Sequence, residues 1–381
     1  MRILLVGDYP PDPRLGSTKV LVKLQEEFRA LGHACDLLLA DGLGTRPANA
    51  QARQALGPVI ALSAIRRMFR EHGRYDVVDV ASAEGLWVGA LHRLGFFRGT
   101  AVIARSNGLE QLDYQRMIED HEEGLLRKPW TRRLYYPAVR LAQVAAAARA
   151  ADRLILLNDR DLAFALDRRW KPRSRIDLVP HGVSASFLAA APPADRSRGG
   201  GILFCGSWAA MKGVAALVSA FEGMIAAGTA VNLTVLGGGV PRDLIESAFA
   251  PAARRHISVV DRVQENEVMA AYRSHDVLAW PSTYEGFGMV LLEAMSQRLP
   301  VVATPVGCAT RLVIHEETGL VVPRRNPEAL GAALTRMVCD PALRARLADA
   351  AFVRVRDMSW TKTAKMTLAV YDEALRTVRP R

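Results

Sequence analysis

The stretch Pro281-Ser-Thr-Tyr-Glu285-Gly-Phe-Gly288-Met-Val-Leu-Leu-Glu293-Ala-Met295 decides how this chain is read. The apolar run Val277–Trp280 ahead of it has the composition of a buried strand, Pro281 to Glu285 reads as a loop, and residues 288–297 have helix composition. A strand that runs into a helix through Gly286 and Gly288 can bring its backbone close to a ligand. The first N–H groups of the helix lack partners within it and form a seat for an anion such as a diphosphate. Glu285 precedes that seat, and Glu293 follows it inside the helix, about 7–8 Å further along at roughly 1.5 Å per residue. The offset suits one carboxylate for sugar hydroxyls and another for a ribose diol. An isolated pair of acids would read otherwise, as a loop charge beside a helix dipole and a solvent-facing helix residue.

Working outward, the residues on either side repeat the same strand-loop-helix unit. Ile202–Gly206 reads as a strand, and Ser207-Trp-Ala-Ala-Met-Lys212-Gly213 as the loop after it, with a lysine beside a glycine at a helix entrance, suited to neutralising a leaving diphosphate. Val231–Gly239 and Ile257–Asp261 continue that sheet. Further upstream, Arg2–Asp8, Asp36–Ala40, Val77–Val80, Ala101–Arg105 and Arg153–Asn158 alternate with helical segments, which argues for a parallel sheet covered by helices. In the first helix, Leu21, Leu24, Phe28 and Leu31 share a face and Gly32 ends it. Ala189 to Gly201, rich in Ala, Pro and Gly, is the expected interdomain linker. The expected organisation is therefore a first α/β domain over 1–188, the linker 189–201, a second α/β domain over 202–358 and a closing amphipathic helix over 359–381 with Trp360, Ala364, Leu368, Tyr371, Leu375 and Val378 on one stripe.

Composition bounds the function. Half of the 381 residues are apolar and 23% are charged, which is globular and long enough for about two domains. Met1–Val6 reads as a first strand rather than a signal peptide, and no apolar run reaches the 18 residues of a spanning helix. Cys35, Cys205, Cys308 and Cys339 lack metal-like spacing and read as reduced thiols of a cytoplasmic protein. The net charge is +11, with 28 Lys and Arg against 21 Asp and Glu in residues 1–190. That bias admits anionic ligands or peripheral contact with the inner face of a membrane. No nucleic-acid-binding module is present. Arg127-Lys128-Pro-Trp130-Thr-Arg132-Arg133-Leu-Tyr135-Tyr136, where aromatics interleave with cations, is the candidate membrane surface, against a solvated helix beside the acceptor site.

Glu285-Gly-Phe-Gly with seven residues between Glu285 and Glu293, followed by Leu299-Pro-Val-Val-Ala-Thr-Pro-Val-Gly307 and Glu316-Glu-Thr-Gly-Leu-Val-Val-Pro323, resembles the donor signature of retaining family 4 glycosyltransferases. The resemblance is close over 202–325 and looser over 1–190. It implies the GT-B architecture, two Rossmann-like domains with parallel sheets facing a central cleft. It also implies metal-independent transfer from a UDP-, GDP- or ADP-sugar to a hydroxyl of a glycan, lipid-linked or small-molecule acceptor, without a cofactor. Glu285 and Lys212 are then the catalytic pair, Glu285 on the donor sugar and Lys212 on the diphosphate. Gly16, Asn107, Gly206, Gly286, Phe287, Gly288, Met289, Val290, Leu291 and Glu293 are expected to bind the donor. Departures from the pattern fall at Ser17, where relatives often have glycine, at Asn107, where they commonly have histidine, and at Ser207 or Trp208, where many have arginine.

Other readings are weighed on the same residues. Asp159-Arg-Asp161 looks like a metal-binding acid pair but follows a strand and starts a helix, where acids serve as caps. His181, in Val179-Pro-His-Gly, reads as structural. No G-x-G-x-x-G follows the first strand, so a dinucleotide oxidoreductase is disfavoured. A nucleotide-sugar epimerase or hydrolase of the same architecture and a silent nucleotide-sugar sensor remain as alternatives.

Overall fold

The computed structural model describes residues 1–45, 47–124, 130–189, 191–192 and 199–378. The chain divides into two compact units: Met1–Gln115, His121–His181 and Trp360–Arg381 form the first, and Arg116–Asp120 with Gly182–Ser359 form the second. The division at 181/182 lies ahead of the expected 189–201 linker. Gly182–Ala189 groups with the second unit, where Val183 bridges Ser359 and Gln297 Nε2 donates to the Phe187 carbonyl at 2.5 Å.

The first unit is built on six parallel strands, β1 (Arg2–Val6), β2 (Ala34–Leu38), β3 (Val77–Ala81), β4 (Ala101–Arg105), β5 (Arg153–Leu156) and β6 (Ile176–Leu178), in the order β2-β1-β3-β4-β5-β6. Strands covered on both faces read as continuous apolar runs rather than alternating ones. Ile3, Leu4, Leu5, Val77, Val78, Val102 and Ile103 are accordingly without exposure. Two charges sit inside this sheet. Arg105 on β4 pairs with Asp79 on β3 at 2.6 Å, both side chains fully buried, and Tyr371 donates its hydroxyl to the same carboxylate at 2.5 Å.

Tyr371 belongs to helix Trp360–Val378, which groups with the first unit. Its buried face differs from the expected stripe. Thr363, Thr367, Val370 and Ala374 are buried with Trp360, Ala364, Tyr371 and Leu375, while Leu368 and Val378 are half-exposed. Two threonines can lie inward because their hydroxyls are satisfied by the Pro180 and Thr363 carbonyls, each at 2.9 Å.

The second unit carries β7 (Ile202–Cys205), β8 (Leu233–Leu236), β9 (Ile257–Val260), β10 (Val277–Trp280), β11 (Val301–Ala303) and β12 (Leu320–Val321), all parallel, in the order β12-β11-β10-β7-β8-β9. Numbered within the unit from the β9 edge, this is the 3-2-1-4-5-6 order of a doubly wound Rossmann sheet. The first unit instead has the 2-1-3-4-5 order with a sixth strand added. In both, the order reverses once, between β1 and β3 and between β7 and β10, and ligands of such sheets bind outside the carboxyl ends of the strands at that point. The edge strands β6 and β12, of three and two residues, went unnoticed in the sequence.

Candidate active site

Lys212 and Glu285 are 73 residues apart in sequence, yet one follows β7 and the other β10, the two strands at the reversal of the second sheet. The loops that carry them touch through backbone. Thr283 N–H donates to the Met211 carbonyl at 2.8 Å. Gly213 has φ +71°, and a Cβ there would lie 1.9 Å from the Pro281 carbonyl oxygen, so no side chain fits. The consequence is a direct ion pair, Lys212 Nζ to Glu285 Oε1 at 2.5 Å. Ser282 Oγ donates to the same carboxylate oxygen at 2.9 Å, and Thr304, just past β11, holds Ser282 through its carbonyl at 2.5 Å.

Helix Met289–Ser296 starts from Gly288, whose φ of +100° places the position where a Cβ would stand 2.5 Å from the Trp280 ring. Gly288, Met289 and Val290 are half-exposed while Leu291 to Ser296 are buried, so ligand access is confined to the start of the helix. Among the expected donor-binding residues, Leu291 has no exposure and its N–H donates to the Gly288 carbonyl at 3.1 Å. That leaves Met289 and Val290 to present the leading N–H groups. Gly286 and Phe287 are buried, and the Phe287 carbonyl accepts from Cys308 N–H at 2.6 Å, fixing the turn. Glu293 lies on the buried side, 8% exposed, with Tyr272 donating its hydroxyl to Oε2 at 3.2 Å. Gly206 ends β7 with φ +136° and open space around the position of a Cβ.

Several residues here were not anticipated. Arg324, immediately after the Val-Val-Pro323 segment, donates from Nη1 to the Thr283 carbonyl at 3.2 Å, bringing a second cation to the Glu285 loop. Trp208, where an arginine is common, packs between Phe204 and Phe249 with ring centroids 5.7 and 5.9 Å apart. Nothing in local periodicity marks Arg324 or Tyr272, because both are brought in by the sheet order.

The remaining candidates lie in the first unit. Gly16 is exposed at the start of helix Gly16–Ala30. Asn107 follows β4 and donates from Nδ2 to the Tyr9 hydroxyl at 3.3 Å. His181 is buried against Trp360, and burial, with Arg105 nearby, pushes its pKa down to about 3, so it stays neutral. Asp159 and Asp161 are not the helix cap they were expected to be. Asn158 is, accepting the Asp161 N–H at 2.9 Å, and the acids occupy the first turn. Arg127 and Lys128 of the candidate membrane surface lie outside the described residues. Tyr135 and Tyr136 donate within their own unit, to the Gln51 carbonyl at 2.5 Å and to Glu110 at 2.9 Å. Among the described residues, no helix is long and apolar enough to cross a membrane.

Burial pushes the Asp161 carboxyl up to about 7 from an ordinary 3.8. Its raised folded-state value favours folding below the unfolded value, and this contribution is lost as pH rises through 7. Asp161→Asn is therefore expected to gain stability relative to the native chain between pH 4 and pH 8, by on the order of 2–4 kcal/mol. Urea unfolding midpoints at the two pH values measure this, and a pH-independent difference would contradict it.

Residues 199–340 match the model of the family described as glycosyl transferases group 1. That match covers 142 of the 381 residues, all within the second unit. The chain is 29% identical over 327 residues to the D-inositol 3-phosphate glycosyltransferase of Pseudarthrobacter chlorophenolicus, a match covering 82% of the chain and 73% of the relative. Against four relatives of the same name from other organisms, the match spans 56 to 61% of their length. In solved structures it is similar to sucrose-phosphate synthase from Thermosynechococcus elongatus, with TM-score 0.75 and 23% identity over 98% of each chain. It is also similar to Anabaena HepE, solved with UDP and glucose, with TM-score 0.68 and 14% identity over 98% of this chain and 100% of that one. The fold of the chain is thus GT-B.

Proposed function

We propose that this protein transfers a sugar from a nucleotide-diphosphate-sugar to an acceptor hydroxyl, with retention of anomeric configuration and without a metal. The observation that carries the reading is the Lys212–Glu285 pair at the reversal of the second sheet, beside a half-exposed helix start. That HepE was solved with UDP and glucose supports the donor class.

In this reading the donor diphosphate rests on the Met289 and Val290 N–H groups, with Lys212 and Arg324 supplying positive charge. Glu285 accepts hydrogen bonds from the donor sugar, and Glu293, held by Tyr272, accepts from the ribose diol. The bond from the anomeric carbon to the diphosphate oxygen loosens, and its electron pair leaves with the diphosphate, where Lys212 stabilises the developing charge. The acceptor hydroxyl bonds the anomeric carbon from the face being vacated, and its proton passes to the departing phosphate oxygen. No protein nucleophile is required, in keeping with an ion pair rather than a nucleophile–base couple at the site.

Binding and turnover of UDP-, GDP- and ADP-sugars, compared between the native chain and Glu293→Ala, test the donor half. One donor is expected to bind tightly, to lose at least tenfold in affinity in the variant, and to release sugar slowly without acceptor. Equal binding by both proteins would remove Glu293 from the site, and no binding of any member would end the donor reading.

A further inference from the structure

The first unit contains a cavity of about 210 Å³ at the carboxyl ends of β1, β3 and β4, where its own strand order reverses. Tyr9, Ser82, Asn107 and Glu110 give it a polar wall, and Leu154 and Trp170 an apolar one. Its polar wall is braced from behind. Arg140 donates to Glu110 at 3.0 Å and to Glu84 at 2.7 Å, Ser82 donates to Glu110, and Tyr136 donates to Glu110 at 2.9 Å. Arg105 borders the cavity, but its guanidinium has no exposure and is held by Asp79. Two arginines therefore face three carboxylates, Asp79, Glu84 and Glu110.

One buried polar atom here has no hydrogen-bond partner among the described residues, the acceptor Asn107 Oδ1, and beside it the Tyr9 hydroxyl, which accepts from Asn107 Nδ2, keeps a proton to donate. A hydroxyl can both donate and accept, so a ring bearing several of them can meet Asn107 Oδ1, the Tyr9 hydroxyl and Glu110 together while its apolar face lies on Leu154 and Trp170. A phosphate can only accept at neutral pH. It would place its charge beside Glu110 and Asn107 Oδ1, where both guanidinium groups are already engaged by carboxylates.

We propose that this cavity receives the acceptor and selects an uncharged polyhydroxylated ring, a sugar or cyclitol without phosphate. The proposal rests on the glycosyl-transfer reading and narrows its acceptor class. It is tested on the full chain, without nucleotide, by calorimetric or saturation-transfer titration with D-glucose, D-mannose, D-galactose and myo-inositol, each against its monophosphate. At least one neutral ring is expected to bind, its phosphorylated counterpart at least tenfold more weakly, and Glu110→Gln to narrow that gap. Binding of a phosphorylated ring as tight as its neutral counterpart, a gap unchanged in a folded Glu110→Gln protein, or no neutral ring bound would each overturn it. Because nucleotide is absent, the two readings fail separately. A chain that binds a nucleotide sugar but prefers phosphorylated rings keeps transfer and loses this selectivity, while one that binds neutral rings but no nucleotide sugar loses the transfer reading alone.

Discussion

Glu285→Ala is expected to lower kcat/KM with the preferred donor by roughly 10²- to 10⁴-fold while leaving the thermal unfolding transition close to that of the native chain. The two halves of this result have separate causes. Glu285 is positioned by Ser282 and Lys212 where the β7 and β10 loops meet, so its removal takes away both a sugar-hydroxyl acceptor and the group that orients the lysine. The pair contributes little to folding, because the Lys212 side chain retains 21% exposure and water can replace its partner. Steady-state kinetics alongside a melting curve separate the two effects. Turnover within twofold of native would remove Glu285 from the chemistry, and a collapsed melting transition would make its role structural.

The largest stability effect is expected in the first unit. Asp79→Ala should cost about 3–5 kcal/mol, since it leaves the Arg105 guanidinium buried in the sheet without its counter-ion and deprives the Tyr371 hydroxyl of its acceptor. Pairing the change as Asp79→Leu with Arg105→Met should recover most of the stability, because removing both charges removes the uncompensated one. Denaturant unfolding of the single and double variants checks this. A single-variant loss below about 1 kcal/mol, or a double variant no better than the single, would show that the ion pair is not what holds β3 to β4.

Much of the architecture was readable from residue order. Ala101–Arg105 and Val277–Trp280 were bounded correctly because strands covered on both faces leave an uninterrupted apolar signature. The edge strands β6 and β12 were missed because they are too short for such a run and pair on one side only. The Glu285 and Lys212 loops were found from their glycines and charges, but their contact depends on β7 lying next to β10, a long-range fact that no local pattern encodes. For the same reason Arg324, Tyr272 and the Arg140 cluster stayed hidden. Each owes its position to partners tens of residues away. The stripe on helix Trp360–Val378 was misplaced because threonines were counted as polar, although a hydroxyl bonded to a backbone carbonyl packs as readily as a small apolar group.

The return of residues 360–378 to the first unit reorders the events by which this chain folds. A ribosome delivers β1 to β6 early, but Tyr371, which completes the hydrogen bonding of the Asp79 carboxylate, emerges only after the whole of 182–359. The second unit, drawn almost entirely from that contiguous segment, can close on itself while the first is still waiting for its last helix. The domain made first is therefore finished last. A nascent chain stalled before residue 360 should show the second unit protected from protease and the first unit open.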